Sequence, residues 1–152
     1  IIKGESIMKE YYKKPEETAK TLKDGWLYTG DLATIDEEGY ITLVDRKKDM
    51  IISGGENVYS IEVEEVLYEL PSVLEAANIG LPDETWGEAV CAVIVPKEGA
   101  EVDEQELKDF CRQKLAGYKI PRRIFVEEAL PRNASGKILK YQLRQSLAGV
   151  KQ

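Results

Sequence analysis

One stretch of the chain has no polar position at all, Ala89-Val90-Cys91-Ala92-Val93-Ile94-Val95. An apolar run of that length, rich in β-branched side chains, predicts a strand buried on both faces. Val73 to Leu81 predicts a second strand paired with it, and Arg123 to Val126 a third. Between these the period changes to that of a helix. Ile61, Val63, Val66, Leu67 and Leu70 form one apolar stripe, with Ser60 as the expected N-cap and Pro71 as the stop. Asp103, followed three residues later by Glu106, predicts a capping box for a helix over 104–115 that buries Leu107, Phe110, Cys111 and Leu115. A closing helix is expected from Leu139 to Leu147.

Residues 1–45 carry no such core pattern. Turn signals at Asp24-Gly25, Thr29-Gly30-Asp31 and Glu38-Gly39 separate short segments such as Trp26-Leu27-Tyr28 and Tyr40 to Val44. Pro15-Glu16-Glu17-Thr18, continued by Ala19, Leu22 and Lys23, predicts a short helix with Pro in its first turn. The charge run from Asp45 to Asp49 separates the apolar segments Ile41–Val44 and Met50–Ile52. A domain boundary with a hinge and a plain hairpin connection both fit that pattern. The expected fold class is α+β, a small mixed sheet of about three strands plus a hairpin, flanked by helices and preceded by a β-rich remnant.

Composition narrows the function classes. The chain has 152 residues, 43% hydrophobic and 32% charged, which suits a soluble globular domain of ordinary size. A formal net charge of −7 argues against a phosphate-backbone binder, so nucleic acid is not an expected partner. The local basic clusters are Arg46-Lys47-Lys48 and Arg122-Arg123. There is no histidine, which removes imidazole general bases and imidazole metal ligands together. Chemistry is left to Lys, Arg, Asp, Glu or the backbone. Cys91 and Cys111 stand in apolar stretches without metal-like spacing and are expected as buried thiols in a reducing cytoplasm. No apolar run approaches the roughly 20 residues that cross a bilayer. The opening Ile1-Ile2-Lys3-Gly4, without Met, reads as an excised piece of a longer chain.

The candidate chemistry centres on Pro131-Arg132-Asn133-Ala134-Ser135-Gly136-Lys137, which offers Lys137 as a cation on a mobile glycine loop ahead of a helix. A solvated ammonium on a flexible stem suits a transient phosphate or carboxylate contact. Taken alone, it is equally an exposed turn lysine. Its company along the chain is Tyr28-Thr29-Gly30-Asp31-Leu32, Asp45-Arg46-Lys47-Lys48-Asp49 and Ser53-Gly54-Gly55-Glu56-Asn57, in that order. Together with Gly80 to Glu88, Gly4 to Met8, Tyr11-Tyr12 and Pro15 to Thr18, this series resembles the C-terminal part of the adenylate-forming enzymes. That family comprises acyl-CoA synthetases, luciferases and peptide-synthetase adenylation domains. The resemblance is nearest to acyl-CoA ligases and runs over almost the whole chain.

The resemblance implies a two-step ligase. A carboxylate attacks the α-phosphate of Mg-bound ATP to give acyl-adenylate and pyrophosphate, and the thiol of CoA then displaces AMP. It implies that Lys137 is the catalytic cation of the first step, that Asp31 and Arg46 bind the nucleotide, and that Lys48 is the hinge about which the domain turns. Gly54, Gly55 and Glu56, with Trp86, Tyr118 and Arg122, are implied as CoA-binding, although ordinary packing explains the two aromatics as well. Ile52 stands where luciferases place a second lysine, so that lysine's role does not transfer. Residues 1–46 are expected as the end of a large N-terminal AMP-binding domain and 47–152 as the mobile C-terminal domain. In the family the phosphate loop and acyl pocket precede this region, so the fragment alone is expected to be inactive and to need its own N-terminal domain as partner. The expected acid is a fatty acid. The alternatives are an aryl acid in the same chemistry, or an interaction module that keeps the fold without catalysis. No metal ligands are expected in this part.

Overall fold

Tight turns shape the N-terminal part of the chain, whose apolar residues are too scattered to build a deep core. In this computed structural model, which describes residues 1–150, helix α1 spans Pro15–Thr21 with Pro in its first turn. Leu22 and Lys23, expected in that helix, form strand β1 (Leu22–Lys23) instead. The reason is local: Asp24 and Gly25 take left-handed φ of 52° and 78° and turn the chain directly into β2 (Trp26–Leu27). Asp-Gly is a favoured pair for such a two-residue hairpin turn. Strand β3 (Asp31–Ile35) then pairs antiparallel with β4 (Ile41–Arg46), placing Asp31 opposite Arg46. Register shifts after Leu32, where Asp45 faces Leu32 but Leu43 faces Ala33. Val44 is therefore an extra residue on β4, and the bulge adds twist near Asp31 and Arg46.

These elements belong to the first of two compact units, Ile1–Lys48; the second begins at Asp49. Strand β5 (Ile51–Ser53) pairs with β6 (Glu56–Val58) and not with β4, so the charge run 45–49 is not a hairpin turn. Gly54 and Gly55, at φ 62° and 87°, make the two-residue connection of β5 to β6. Two positive φ values in succession are what a type I′ turn requires, and glycine meets them without strain.

In the second unit the three predicted strands form one sheet. Strand β7 (Val73–Asp83) and β8 (Gly87–Pro96) pair antiparallel along their lengths, while β9 (Arg123–Val126) lies parallel to β8 at Cys91–Ile94. Strand β5 joins the edge that β9 uses, through Ser53 opposite Gly87. The result is a five-stranded mixed sheet, β6-β5-β8-β7 with β9 beside β8, flanked by helices. This is the α+β architecture expected from the sequence. Every residue from Ala89 to Val95 is buried. Val90, Ala92 and Ile94 face a cluster with Val63, Leu67, Leu107 and Cys111; Cys91, Val93 and Val95 face one with Phe125, Leu130, Leu143 and Leu147. Each large aliphatic side chain so buried contributes about 1.5–3 kcal/mol relative to exposure.

Helices α2 (Ser60–Tyr68), α3 (Glu104–Lys114) and α4 (Lys140–Leu147) supply those clusters. Asp103 caps α3 as its sequence predicts, its Oδ1 accepting the Glu106 N–H at 2.7 Å. Ser60 does not cap α2. Tyr59 holds the N-cap position, and the Ser60 hydroxyl instead accepts from Lys140 Nζ at 2.6 Å. Helix α2 also ends at Tyr68, short of Leu70, which is nevertheless buried. Glu64 on α2 accepts the Asn78 N–H of β7 at 2.7 Å and pairs with Lys140 at 2.6 Å. Asp49 pairs with Arg144 of α4 at 2.9 Å. Both cysteines are free and buried, and burial pushes each thiol up to about 11. No helix among the described residues is long and apolar enough to cross a membrane.

Candidate functional site

Lys137 sits on a loop that is closed by its own hydrogen bonds. Arg132 and Ile138 form a β-bridge, Asn133 N–H donates to the Lys137 carbonyl at 3.0 Å, and Leu139 N–H donates to the Pro131 carbonyl at 2.7 Å. Inside this ring the Asn133 Oδ1 accepts from Ser135 N–H at 3.1 Å, Ser135 Oγ at 2.8 Å and Lys137 N–H at 2.9 Å. Gly136, at φ 82°, completes the turn. Arg132 donates to the Gly136 carbonyl at 2.5 Å and pairs with Glu75 of β7 at 2.9 Å. The sequence suggested a mobile loop; the backbone here is braced at both ends and through its middle. Flanking cations are paired, Arg132 with Glu75 and Lys140 with Glu64. Lys137 is exposed, and its ammonium makes no ion pair among the described residues.

A second cluster forms where the β5–β6 hairpin meets the β7–β8 turn. Asp83 Oδ1 accepts the N–H groups of Thr85 and Trp86, each at 3.0 Å, and Asp83 pairs with Arg123 at 3.3 Å. The Trp86 and Thr85 amides, then the Arg123 and Arg122 charges, hold the Asp83 carboxyl below its ordinary range against the opposing effect of desolvation. The Trp86 carbonyl accepts from Gly54 N–H at 2.9 Å, and its ring covers Gly54 so closely that a Cβ there would stand 2.9 Å from the indole. The Arg122 guanidinium lies 3.8 Å from the ring centroid, a cation–π contact. Lys108, which donates to the Arg122 carbonyl at 3.0 Å, lines a cavity of about 360 Å³ with Arg112, Gly117 and Arg122.

Gly54, Trp86 and Arg122 are thus brought together. Tyr118 is not among them: it lies in the 3-10 turn Gly117–Lys119 and packs partly buried against the α2–α3 cluster. Gly55 and Glu56 are exposed at the hairpin tip and the start of β6, with open space where a Gly55 side chain would lie. The sequence reading missed Asp83. Its signal was present as Pro-Asp followed by turn residues, because an Asp carboxylate readily accepts the amides two and three positions on.

In the first unit, Asp31 and Arg46 meet across β3 and β4, Arg46 Nε standing 3.3 Å from Asp31 Oδ1. Thr29 Oγ1 accepts the Asp31 N–H at 3.1 Å, and the Gly30 carbonyl accepts the Lys47 N–H at 2.8 Å. Lys48 is exposed and ends that unit. Among the described residues no three His, Cys, Asp or Glu side chains gather to hold a metal ion.

The family model described as AMP-binding enzyme C-terminal domain matches residues 62–137, half of the chain. The chain belongs to that family. The chain is 50% identical over 145 residues to a long-chain-fatty-acid–CoA ligase of Mycobacterium tuberculosis, covering 95% of this chain and 29% of that protein. It is also 50% identical over 145 residues to a feruloyl-CoA synthase of an Amycolatopsis species, covering 95% of this chain and 30% of that one. Among solved structures, o-succinylbenzoate CoA synthetase from Bacillus subtilis, in complex with its acyl-adenylate intermediate, superposes with a TM-score of 0.86. That match has 43% identity and covers 99% of this chain and 30% of the other. The chain therefore spans under a third of the length of these relatives. Within it the family match takes in Trp86, Tyr118 and Arg122 and ends on Lys137, whereas Asp31, Arg46, Lys48 and Gly54 to Glu56 precede it.

Proposed function

We propose that the chain is the C-terminal part of an ATP-dependent acid–thiol ligase, and that Lys137 serves its adenylation step. The observation that carries this is a free ammonium on a braced loop whose neighbouring cations are all engaged. In carboxylate attack on the α-phosphate, negative charge is redistributed over oxygens at the reacting centre. A cation held there without reorganisation stabilises that charge, and losing one such donor costs about 2.7–4 kcal/mol of barrier. Asp31, steadied by Arg46 across the β3–β4 pair, offers a carboxylate to the ribose hydroxyls of ATP or AMP. Mg accompanies the ATP as part of the substrate.

For the second step CoA enters along the β5–β6 turn, where Gly54 and Gly55 let backbone approach a narrow pantetheine arm. Trp86 and Arg122 offer a ring face and a cation to its nucleotide, and Glu56 and Tyr118 are the remaining proposed CoA contacts. Lys48 is the hinge, since the change of pose between steps needs backbone freedom at the boundary between residues 47–152 and the N-terminal AMP-binding domain to which residues 1–46 would belong. The acid is a fatty acid on this reading, supported by the 50% identity to a long-chain-fatty-acid–CoA ligase. An aryl acid is the second reading, supported by the equal identity to a feruloyl-CoA synthase. The cytoplasm, where ATP and CoA are plentiful, is the proposed setting.

The test separates the half-reactions in the whole ligase. Lys137→Ala is expected to slow pyrophosphate release ~10²–10³-fold while CoA still consumes supplied acyl-adenylate. Lys48→Pro, which fixes φ at the hinge, is expected to do the reverse. Unchanged pyrophosphate release in Lys137→Ala, or equal loss of both steps, overturns the assignment.

A further inference from the structure

Three donors converge on the single Asn133 Oδ1: two backbone N–H groups, from Ser135 and Lys137, and the Ser135 hydroxyl. Backbone N–H groups cannot accept, so an oxygen and not the amide nitrogen has to occupy this place. The same residue's N–H and carbonyl bond to the Lys137 carbonyl and the Gly136 N–H, at 3.0 and 2.9 Å. Asn133 therefore makes bonds to Lys137 on both sides of that residue's own backbone. Its neighbour Arg132 carries the tie to the sheet, bridging the Gly136 carbonyl and Glu75.

We propose that Asn133 is a positioning residue for Lys137, a neutral organiser of the loop that fixes where the ammonium is presented without adding charge beside it. Neutrality is the point of the choice. Aspartate forms the same turn and accepts at least as well. It would also set a carboxylate within a side chain's length of the one cation that has to meet an anion, weakening the attraction for phosphate. Alanine would leave two loop N–H groups without their acceptor. A displacement of about 1 Å at a reacting centre is enough to cost ~10²-fold in rate. The inference rests on the adenylation reading of Lys137, and it extends the set of residues on which that step depends.

The experiment uses the whole protein that carries this chain, with Lys137→Ala, Asn133→Ala and Asn133→Asp. The measurements are amide exchange over 131–139, pyrophosphate release, and CoA attack on supplied acyl-adenylate. Asn133→Ala is expected to accelerate exchange across the loop and to lower the kcat of adenylation ~10–10²-fold, leaving the KM for the acid and the thioester step near wild type. Asn133→Asp is expected to restore slow exchange but not the rate. If Asn133→Ala adenylates normally while Lys137→Ala does not, positioning by Asn133 is refuted and the role of Lys137 stands. If Lys137→Ala also adenylates normally, both fall. Equal loss of the two steps in Asn133→Ala, or fast exchange in Asn133→Asp, also refutes the proposal.

Discussion

Gly54 makes the sharpest quantitative test of the Trp86 cluster, because it sits beside a control. Gly54 and Gly55 both have positive φ, 62° and 87°, but a Cβ on Gly54 would meet the Trp86 ring at 2.9 Å whereas one on Gly55 would meet nothing within 4 Å. Left-handed backbone costs an L-residue about 1–2 kcal/mol, partly offset by the roughly 0.4–1 kcal/mol gained when alanine restricts the unfolded chain. Gly55→Ala should thus destabilise by only about 0–1.6 kcal/mol. Gly54→Ala adds an overpacking cost of about 1–3 kcal/mol, because the ring is held in place by Arg122 on its face and by the Gly54 N–H to Trp86 carbonyl bond. Removing the ring in Gly54→Ala/Trp86→Ala should recover that overpacking cost and leave the φ cost. Urea titrations followed by far-UV circular dichroism on these three variants and on Trp86→Ala give the coupling directly. Equal midpoints for Gly54→Ala and Gly55→Ala, or strict additivity in the double variant, would falsify the packing of Trp86 on the hairpin.

Three further outcomes are expected. Asn78 is fully buried, and neither Nδ2 nor Oδ1 has a partner among the described residues, so Asn78→Val should raise the unfolding free energy measured in urea by about 1 kcal/mol; a lower value means those atoms are satisfied after all. Glu64→Gln keeps an acceptor for the Asn78 N–H but takes the carboxylate from Lys140, leaving it the Ser60 hydroxyl alone, at a cost of about 3 kcal/mol. Adding Lys140→Met should recover most of it, and failure to recover contradicts the ion-pair account. Burial raises both thiols from 9.0 to about 11. The folded chain then keeps protons that the unfolded chain loses, so this contribution to stability is whole below about pH 9 and is lost as the pH rises toward 11. Urea midpoints that stay flat across that window in the native chain, compared with a Cys91→Ala/Cys111→Ala variant, would contradict the burial of the thiols.

The central strand was legible because nothing in Ala89–Val95 competes with burial, and β9 matches its expected span. The cap of α3 was legible because donor and acceptor lie three residues apart. What escaped depends on distant partners. Ser60 has the chemistry of an N-cap, yet it bonds a lysine 80 residues away, a contact no local pattern encodes. The early end of α1 followed from Asp24-Gly25 demanding a hairpin, a turn signal read correctly but not extended back to Leu22 and Lys23. At the candidate site, the residue types were readable and their rigidity was not. Lys137 stood out as a cation after glycine, whereas the convergence on Asn133 Oδ1 appears only when the loop closes. Tyr118 and Trp86 were alike in sequence as CoA-binding candidates that packing explains as well; Tyr118 packs against the α2–α3 cluster and Trp86 lies over Gly54.

The Asp49–Arg144 pair has a consequence for how the second unit can be handled. Its first residue is joined to its last helix across 95 positions, so the unit's entry and exit are secured to each other by a single contact. A unit closed in this way is a natural cassette, because units with neighbouring ends tolerate permutation and transplantation better than those with ends far apart. Grafted into a relative at the position equivalent to Lys48, it should keep its own register provided Asp49 travels with it. A junction placed one residue later would leave Arg144 without its partner.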